Sequence, residues 1–269
     1  MRIQLSLRPQ TRPSAIPLNY AYPLSAAIYK ILQQASPEYA AFLHDKGYAA
    51  PSGRLMKLFT FSKLWIPNVR QREGRLSGSD GLWRLQVGSP MLNEFVQNFV
   101  LGLFESSELA IGGQGCHAVF RVEQVEALPV PAFREAMRCK CLSPITVSTM
   151  RESETGLRPE RSGLRIYYYR PHDESLPEAL RLNLLEKYEI VHGHQPADAR
   201  FTFQLESGDK PKSKLITIKE GTPEATQIKA FETYFTLEGS TELMLVAWEC
   251  GLGEHNSQGF GMIEVERGA

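Results

Sequence analysis

Residues 2–8 are Arg-Ile-Gln-Leu-Ser-Leu-Arg (RIQLSLR), a stretch in which polar and apolar side chains alternate strictly. This alternation places Ile3, Leu5 and Leu7 on one face and predicts a half-buried β-strand. Apolar residues at helical spacing then recur from Leu24 to Leu32 and predict an amphipathic helix. The chain is therefore expected to begin with a strand followed by a helix.

The elements that follow are expected to complete one domain. Ser36-Pro37-Glu38 predicts the start of a short helix, with Ser36 as the N-cap and Pro37 in the first turn, and Gly47 predicts its end. Strands are predicted at 57–66, 82–87 and 116–125, and a helix at 91–104. The order β-α-β-β-α-β, with one additional small helix, is typical of a ferredoxin-like domain.

Leu128-Pro-Val-Pro131 interrupts this pattern and predicts a boundary between domains at 1–127 and 128–269. The 269 residues suffice for two domains of roughly 130 residues each. The second half again mixes strands, predicted at 137–149, 163–170, 201–205, 214–218, 230–237 and 260–265, with helices at 178–191 and 241–250. We therefore expect an α+β protein of two tandem ferredoxin-like (RRM-like) domains.

The composition excludes several classes of protein. Apolar residues make up 42% of the chain and charged residues 22%, so a packed core is expected and wholesale disorder is not. No segment approaches the ~18–20 apolar residues of a membrane helix, and the N-terminus lacks the apolar core of a signal peptide. The cysteines form no C-x-x-C pair and are too few for a disulfide scaffold, which predicts a reduced, cytoplasmic location. They are Cys116, Cys139, Cys141 and Cys250.

Charge is balanced over the whole chain but not along it. Residues 1–84 have eight more basic than acidic residues, and the remainder has the opposite excess. The basic excess indicates either a polyanion-binding surface or a solvated basic face. The same two interpretations apply to Lys210, Lys212, Lys214 and Lys219 in a predicted hairpin, and to the polar loop 151–162 with Arg151, Arg158 and Arg161 and to Arg165 just after it.

Residues 251–261, Gly-Leu-Gly-Glu-His-Asn-Ser-Gln-Gly-Phe-Gly, contain four glycines between a predicted helix and a predicted strand. Glycines at this density allow tight turns and close approach of the backbone to a partner. The run matches neither G-x-G-x-x-G after a strand nor the P-loop, which disfavours a nucleotide cofactor. It is either a structural turn or a ligand-binding loop.

Four further motifs lie in the first half of the chain: Ile16-Pro-Leu-Asn-Tyr20, Leu24-Ser-Ala-Ala-Ile-Tyr29, Tyr39-Ala-Ala-Phe-Leu-His-Asp-Lys-Gly47 and Lys57-Leu-Phe-Thr-Phe-Ser62. Together with the glycine-rich run, their order and spacing resemble the CRISPR-associated endoribonucleases that cut the repeat transcript into guide RNAs, the sixth Cas family of the RAMP superfamily. The resemblance covers both ends of the chain and leaves mainly residues 125–230 weakly matched. The tandem ferredoxin-like architecture of that family agrees with the expected fold.

The resemblance implies metal-independent RNA cleavage, in which a 2′-hydroxyl attacks the neighbouring phosphate and leaves a 2′,3′-cyclic phosphate and a 5′-hydroxyl. The family's tyrosine, histidine and lysine then correspond to Tyr29, His44 and Lys57. At 100° per residue, Tyr29 falls about 120° from the centre of its apolar stripe and His44 about 140° from Tyr39 on the next helix, so neither is an obvious core residue. His44 is in the last turn of its helix, where the imidazolium is favoured, although the residues alone favour a solvated helix end.

The resemblance also implies CRISPR repeat RNA as the partner, with other Cas effector-complex subunits as further candidates, and neither a metal nor a cofactor. Lys46 or Arg54 could supply phosphate-binding charge in place of Lys57. The expected RNA-binding residues are Gly251, Gly253, His255, Asn256, Ser257, Gly259, Gly261, Lys46, Arg54, Lys212, Lys214 and Lys219. A monomer or homodimer is expected. Two alternatives remain: a non-catalytic RNA-binding subunit of an effector complex, and a ferredoxin-like module unrelated to RNA.

Overall fold

The first half of the chain folds around a five-stranded antiparallel sheet in the computed structural model, which describes residues 1–10, 14–79, 81–113, 115–152 and 164–266. The strands of this half, five of which form the sheet, are β1 (Arg2–Pro9), β2 (Ala15–Pro17), β3 (Tyr48–Ala49), β4 (Leu55–Met56), β5 (Thr60–Phe61), β6 (Arg70–Arg72), β7 (Arg75–Ser77), β8 (Trp83–Gly88), β9 (Glu108–Gly113) and β10 (Cys116–Leu128). Its helices are α1 (Ala21–Ala35), α2 (Pro37–Asp45) and α3 (Gln97–Ser106), the last preceded by a π-helical turn at Leu92–Val96.

The topology of this half confirms the ferredoxin-like prediction. The elements β1, α1, β5, β8, α3 and β10 follow the β-α-β-β-α-β order, and the strands lie in the order β5-β8-β1-β10. Strand β9 extends the sheet beyond β10. Ile3, Leu5 and Leu7 of β1 are buried, as the alternating pattern predicts, and belong to the same core as the apolar stripe of α1.

The second half repeats the architecture around a four-stranded antiparallel sheet in the order β14-β17-β11-β18. The strands of this half are β11 (Ala136–Cys141), β12 (Ser148–Glu152), β13 (Leu164–Tyr168), β14 (Phe201–Leu205), β15 (Lys212–Ile218), β16 (Thr226–Glu232), β17 (Tyr234–Gly239) and β18 (Ile263–Val265). Its helices are α4 (Leu176–His192) and α5 (Thr241–Cys250), followed by a 3₁₀ turn at Asn256–Gln258. Two hairpins, β12–β13 and β15–β16, lie outside the sheet. Arg158 and Arg161 lie outside the described residues.

Four predicted strands are wrong in extent, of which the one predicted at 260–265 begins only at Ile263. The strand predicted at 57–66 is reduced to Thr60–Phe61 and a bridge at Trp65. It cannot begin at Lys57, because Leu58 has a φ of 48°, which extended backbone does not accommodate. The strand predicted at 230–237 is divided at Thr233 into β16 and β17. The strand predicted at 137–149 is likewise two strands that belong to different sheets, because the chain leaves β11 to form the β12–β13 hairpin.

The two halves are joined by hydrogen bonds from the first to the backbone of the second. The Arg2 guanidinium is buried and donates to the carbonyl oxygens of Ile263 (2.8 Å) and Trp248. Thr60 Oγ1 donates to Phe260 O at 2.9 Å, and Ser25 Oγ donates to Ser257 O at 2.6 Å. The last two contacts hold the glycine-rich loop against the first half. No helix in the described part of the chain is long and apolar enough to cross a membrane.

Candidate active site

Tyr29, His44 and Lys57 all line one cleft of about 700 Å³. Helix α1 supplies Tyr29, the last turn of α2 supplies His44, and Lys57 follows β4. Ser257 and Gln258 of the glycine-rich loop also line it, so both halves of the chain contribute to the cleft. A pocket with several convergent polar groups is the type of site that supports catalysis.

His44 is well placed to exchange a proton with a ligand in this cleft. Its side chain is 71% exposed, and its ring meets the ring of Tyr29 edge-on with centroids 5.5 Å apart. Nδ1 donates a hydrogen bond to Asp45 Oδ1 at 2.8 Å. Because Nδ1 holds its proton toward Asp45, the proton exchanged with a ligand is the one at Nε2.

Tyr29 is suited to donate a hydrogen bond rather than to act as a base. Burial of its phenol raises the pKa to about 12, and a hydrogen bond with Ser257 opposes part of that shift. The hydroxyl is therefore protonated at neutral pH. The ring also packs edge-on against Phe59, with centroids 5.7 Å apart, which fixes its direction.

Lys57 is tied to the helix that holds His44. Its Nζ donates to the backbone oxygen of His44 at 2.8 Å, where a cation stabilises the carbonyl end of α2. Burial lowers the pKa of Lys57, and the charge of Asp45 opposes this shift. Gly47 allows the segment with Met56 and Lys57 to pack closely against the end of α2. A Cβ at this position would lie 2.6 Å from Met56 O, and its φ of +73° also favours glycine.

The four glycines of the loop are required by the packing of their backbone. All four are buried and have positive φ angles, and an added Cβ at each would meet another atom at 2.8 Å or less. At Gly253 the obstacle is Thr146 O, and at Gly259 it is the ring of Phe61 in β5. The loop is therefore a tight structural turn, and residues 254–258 are its accessible part.

Sequence reasoning missed Lys187, which organises this loop from α4. The side chain is buried, and its Nζ donates to Gly251 O (2.7 Å), Gly253 O (2.8 Å) and Asn256 Oδ1 (2.8 Å). Asn256 Nδ2 in turn donates to Leu252 O and Phe260 O, both at 3.1 Å. The amide of Asn256, a predicted RNA-binding residue, is thus engaged within the loop. The available signal was a lysine on the apolar stripe of α4, seven residues after Leu180.

The remaining predicted RNA-binding residues are not all at the cleft. Lys219 lines it, and His255 lies exposed in the loop. Arg54 pairs with Glu254 of the loop and with Glu186 of α4 at 3.5 Å, and Lys46 is exposed at the end of α2. Lys212 and Lys214 belong to β15 and do not line the cleft.

The described residues contain no group of three or more His, Cys, Asp or Glu side chains that could hold a metal ion. His192 and His194, at the end of α4, contact the ring of Tyr188 with centroids 4.2 and 5.8 Å away. The helix ends between them at Gly193, which has a φ of 76°.

Two tandem ferredoxin-like domains with a glycine-rich loop between them form the architecture expected of the CRISPR-associated family that the sequence resembles. Comparison with known proteins agrees. Residues 15–126 match the family model described as CRISPR-associated protein Cas6, N-terminal, and residues 127–265 match CRISPR associated protein Cas6, C-terminal. The chain belongs to the Cas6 family.

Relatives cover nearly the whole chain. A protein of Methanocaldococcus jannaschii named CRISPR-associated endoribonuclease Cas6 1 is 34% identical over 98% of this chain and 92% of its own length. A solved structure described as CRISPR associated protein Cas6 is 33% identical, with a TM-score of 0.76 and 99% of each chain covered. A Cas6-related structure from Pyrococcus furiosus is 26% identical, with a TM-score of 0.80, and covers 99% of this chain and 98% of its own.

Proposed function

We propose that this protein is an endoribonuclease that cleaves CRISPR repeat RNA into guide RNAs without a metal ion. The observation that supports this proposal is the placement of Tyr29, His44 and Lys57 around a single cleft. The 34% identity to a relative named as an endoribonuclease is consistent with it. Repeat RNA is the proposed partner, with other Cas effector subunits as further candidates, and the protein is proposed to act in the cytoplasm as a monomer or homodimer.

The three side chains supply what internal transesterification of RNA requires: proton transfer, orientation of the nucleophile and positive charge at the phosphorane. His44 exchanges the proton at Nε2, as base for the 2′-hydroxyl or as acid for the departing 5′-oxygen. Tyr29, protonated at neutral pH, orients the 2′-hydroxyl or a phosphate oxygen by donating a hydrogen bond. Lys57 neutralises the charge that develops on the phosphate oxygens.

Cations and polar groups around the cleft are proposed to hold the RNA backbone. Lys219 and Ser257 are in its lining, and Lys46, Arg54 and His255 lie on the neighbouring surface. Phosphate contacts of this kind position the strand and are sensitive to salt. Lys212 and Lys214 would contact RNA only where it extends along the β15–β16 hairpin.

Cleavage of a transcript of the repeat from the neighbouring CRISPR array, in excess EDTA, tests the proposal. We expect cleavage to persist and to leave a 2′,3′-cyclic phosphate and a 5′-hydroxyl, because the attacking oxygen belongs to the RNA itself. A 2′-deoxy nucleotide immediately before the cut should abolish cleavage and leave binding nearly unchanged. Products with a 5′-phosphate and a 3′-hydroxyl would contradict the mechanism. Binding without any cleavage would instead favour the non-catalytic RNA-binding alternative.

A further inference from the structure

Glu254 of the glycine-rich loop is fixed to the second domain by both its backbone and its side chain. Its amide donates to Thr146 O at 2.8 Å, and Oε2 of its carboxylate accepts hydrogen bonds from the Ser148 amide (3.1 Å) and hydroxyl (2.7 Å). The side chain is only 15% exposed. The other carboxylate oxygen, Oε1, forms an ion pair with Arg54 of the first domain. Glu254 therefore connects a fixed site in the second domain to the first domain.

Arg54 belongs to the hairpin of β3 and β4, which is too small to hold its own position. Each strand has two residues, and an isolated two-stranded hairpin is at best marginally stable. Tyr48 and Met56 pack against the core of the second domain. At the turn, Arg54 pairs with Glu254 and, at 3.5 Å, with Glu186 of α4. The position of the hairpin therefore depends on contacts with the second domain, and the ion pair holds its turn.

Lys57 follows this hairpin directly, three residues after Arg54. On the other side of Lys57, Leu58 is buried in the core of the second domain, and its carbonyl oxygen accepts a hydrogen bond from Ser89 Oγ at 2.8 Å. The main chain at Lys57 is thus held from one side by Leu58 and from the other by the hairpin. A displacement of ~1 Å can lower a reaction rate by ~10²-fold, so the position of the hairpin matters to a group at the cleft.

We propose that Glu254 is a positioning residue for cleavage, which sets the place of Lys57 at the cleft through the ion pair with Arg54. The inference rests on the proposed function, since it takes the role of Lys57 from it. The Arg54 side chain is 50% exposed, so it can pair with Glu254 and still contact a phosphate. Glu254 is itself an anion that repels phosphates. Its removal should therefore affect the cleavage rate and the RNA affinity in different ways.

The variant Glu254→Gln removes the charge that holds Arg54 and retains an acceptor for the two Ser148 donors. We expect the single-turnover cleavage rate at saturating protein to fall roughly tenfold, because Lys57 loses its exact position. RNA affinity should stay the same or rise, because a negative charge is removed. Arg54→Gln should lower the rate by a similar factor. The double variant should be no slower than the slower single variant, since either change breaks the same ion pair.

Hydrogen exchange of the backbone amides of residues 48–57 reports on the hairpin itself. Both Glu254→Gln and Arg54→Gln should exchange faster there than the wild type, because the turn is no longer held. The Glu254 amide, which donates to Thr146 O, should remain protected in Arg54→Gln. Arg54→Lys retains the positive charge and should recover part of both the protection and the cleavage rate.

Glu178→Gln is the matched control. It also removes one negative charge and breaks an ion pair, but that pair joins Glu178 to Arg181 within α4, and neither residue is among those that line the cleft. It should retain the wild-type rate and exchange pattern. Melting temperatures show which variants are folded, and Arg54→Gln alone tests the ion pair if Glu254→Gln does not fold.

Three results would overturn the positioning role of Glu254. They are a wild-type cleavage rate in Glu254→Gln and Arg54→Gln, a lower rate without faster exchange at 48–57, and losses of rate that add up in the double variant. Each of them leaves the endoribonuclease proposal standing as long as the wild type cleaves the RNA in EDTA. Absence of cleavage by the wild type would instead contradict the proposed function and, with it, the role assigned to Glu254.

Discussion

At the scale of single residues, the candidate site contains one exposed side chain that can transfer a proton and two side chains that are hydrogen-bonded to neighbouring residues. His44 exposes most of its ring to the cleft, whereas Tyr29 and Lys57 are partly buried and hydrogen-bonded to neighbours. Removal of each side chain should therefore have a different effect. We expect the histidine to contribute to chemistry and little to structure, and the lysine to contribute to both.

Replacement of His44 by alanine should lower the single-turnover cleavage rate by ~10²-fold or more, because a positioned acid or base typically contributes ~10²–10⁴ in rate. RNA affinity should change little, since an exposed ring makes few contacts with the backbone. Single-turnover rates at saturating protein, with affinities from the same preparation, provide the measurement. Gln34→Ala is the control, as Gln34 is exposed on α1 and does not line the cleft. Cleavage by His44→Ala at the wild-type rate would show that the active site lies elsewhere.

Sequence reasoning predicted the residues that point away from an apolar stripe and missed those that lie on one. Tyr29 and His44 were identified by the resemblance to a known family, and their positions away from the apolar stripes of their helices support that choice. Asn183 and Lys187 occupy the buried stripe of α4 with Leu180 and Leu184. The partners of Lys187 are loop atoms far along the chain, such as Gly251 O, 64 residues away. Helical spacing identifies polar residues on an apolar face but not the distant segment that satisfies them.

At the scale of elements, the glycine-rich loop connects the second domain to the candidate catalytic cleft. Lys187 donates a hydrogen bond to the loop at Gly253 O, and Gly259 of the loop packs against Phe61 of the first domain. Ser257, two residues before Gly259, contacts Tyr29 and accepts a hydrogen bond from Ser25. Displacement of the loop at Gly259 would therefore change the position of the group that holds Tyr29.

The variant Gly259→Val should lower both the melting temperature and the cleavage rate. Its Cβ would lie 2.8 Å from the Phe61 ring, and its φ of +89° disfavours a β-branched side chain. Gly208→Val is a matched control, because Gly208 has a similar φ of +84° but no atom within 4 Å of its Cβ position. The difference between the two variants isolates the contact with Phe61. Equal losses of stability and activity in both would indicate that backbone strain alone is responsible.

The order of elements was predictable from the sequence, but the extent of the strands was less so. The β-α-β-β-α-β pattern follows from periodicity, and Ser36 caps α2 as expected by accepting a hydrogen bond from the Tyr39 amide. The residues from Lys57 to Ile66 have the composition of a strand, yet the left-handed backbone at Leu58 prevents β5 from beginning at Lys57. That conformation is set by tertiary contacts, among them the hydrogen bond from Ser89 Oγ to Leu58 O at 2.8 Å. Local composition does not encode such contacts.

At the scale of the whole molecule, the two domains are docked so that neither completes the cleft alone. Arg2 of β1 is buried at the junction, where its guanidinium lies 4.3 Å from the centre of the Trp248 ring. Burial lowers the pKa of Arg2 to about 9. Glu249 and the N-terminal amine form an ion pair at the same junction. A buried cation at a domain junction favours one relative position of the two domains, because a displacement of either domain would leave the cation and its acceptors unpaired.

The free energy of unfolding should depend on pH because of Lys187, the second buried cation. Burial lowers the pKa of Lys187 from 10.5 to about 8 in the folded protein, although Cys250 and Glu254 oppose the shift. The unfolded chain thus binds more protons than the folded one between these two values, so this group makes stability rise with pH across that window. Its contribution is complete above about pH 10.5 and is lost as the pH falls through 8.

Comparison with Lys187→Met isolates this effect, because the other titrating groups are common to both proteins. From pH 8 to pH 10 the free energy of unfolding of the wild type should rise relative to that of the variant, by at most about 1.4 kcal/mol per pH unit. Urea unfolding at half-unit intervals of pH provides the measurement. A difference between the two proteins that stays constant across this range would mean that Lys187 is not held as a desolvated cation beneath the glycine-rich loop. A difference that shrinks with increasing pH would mean that the loop carbonyls raise its pKa rather than burial lowering it.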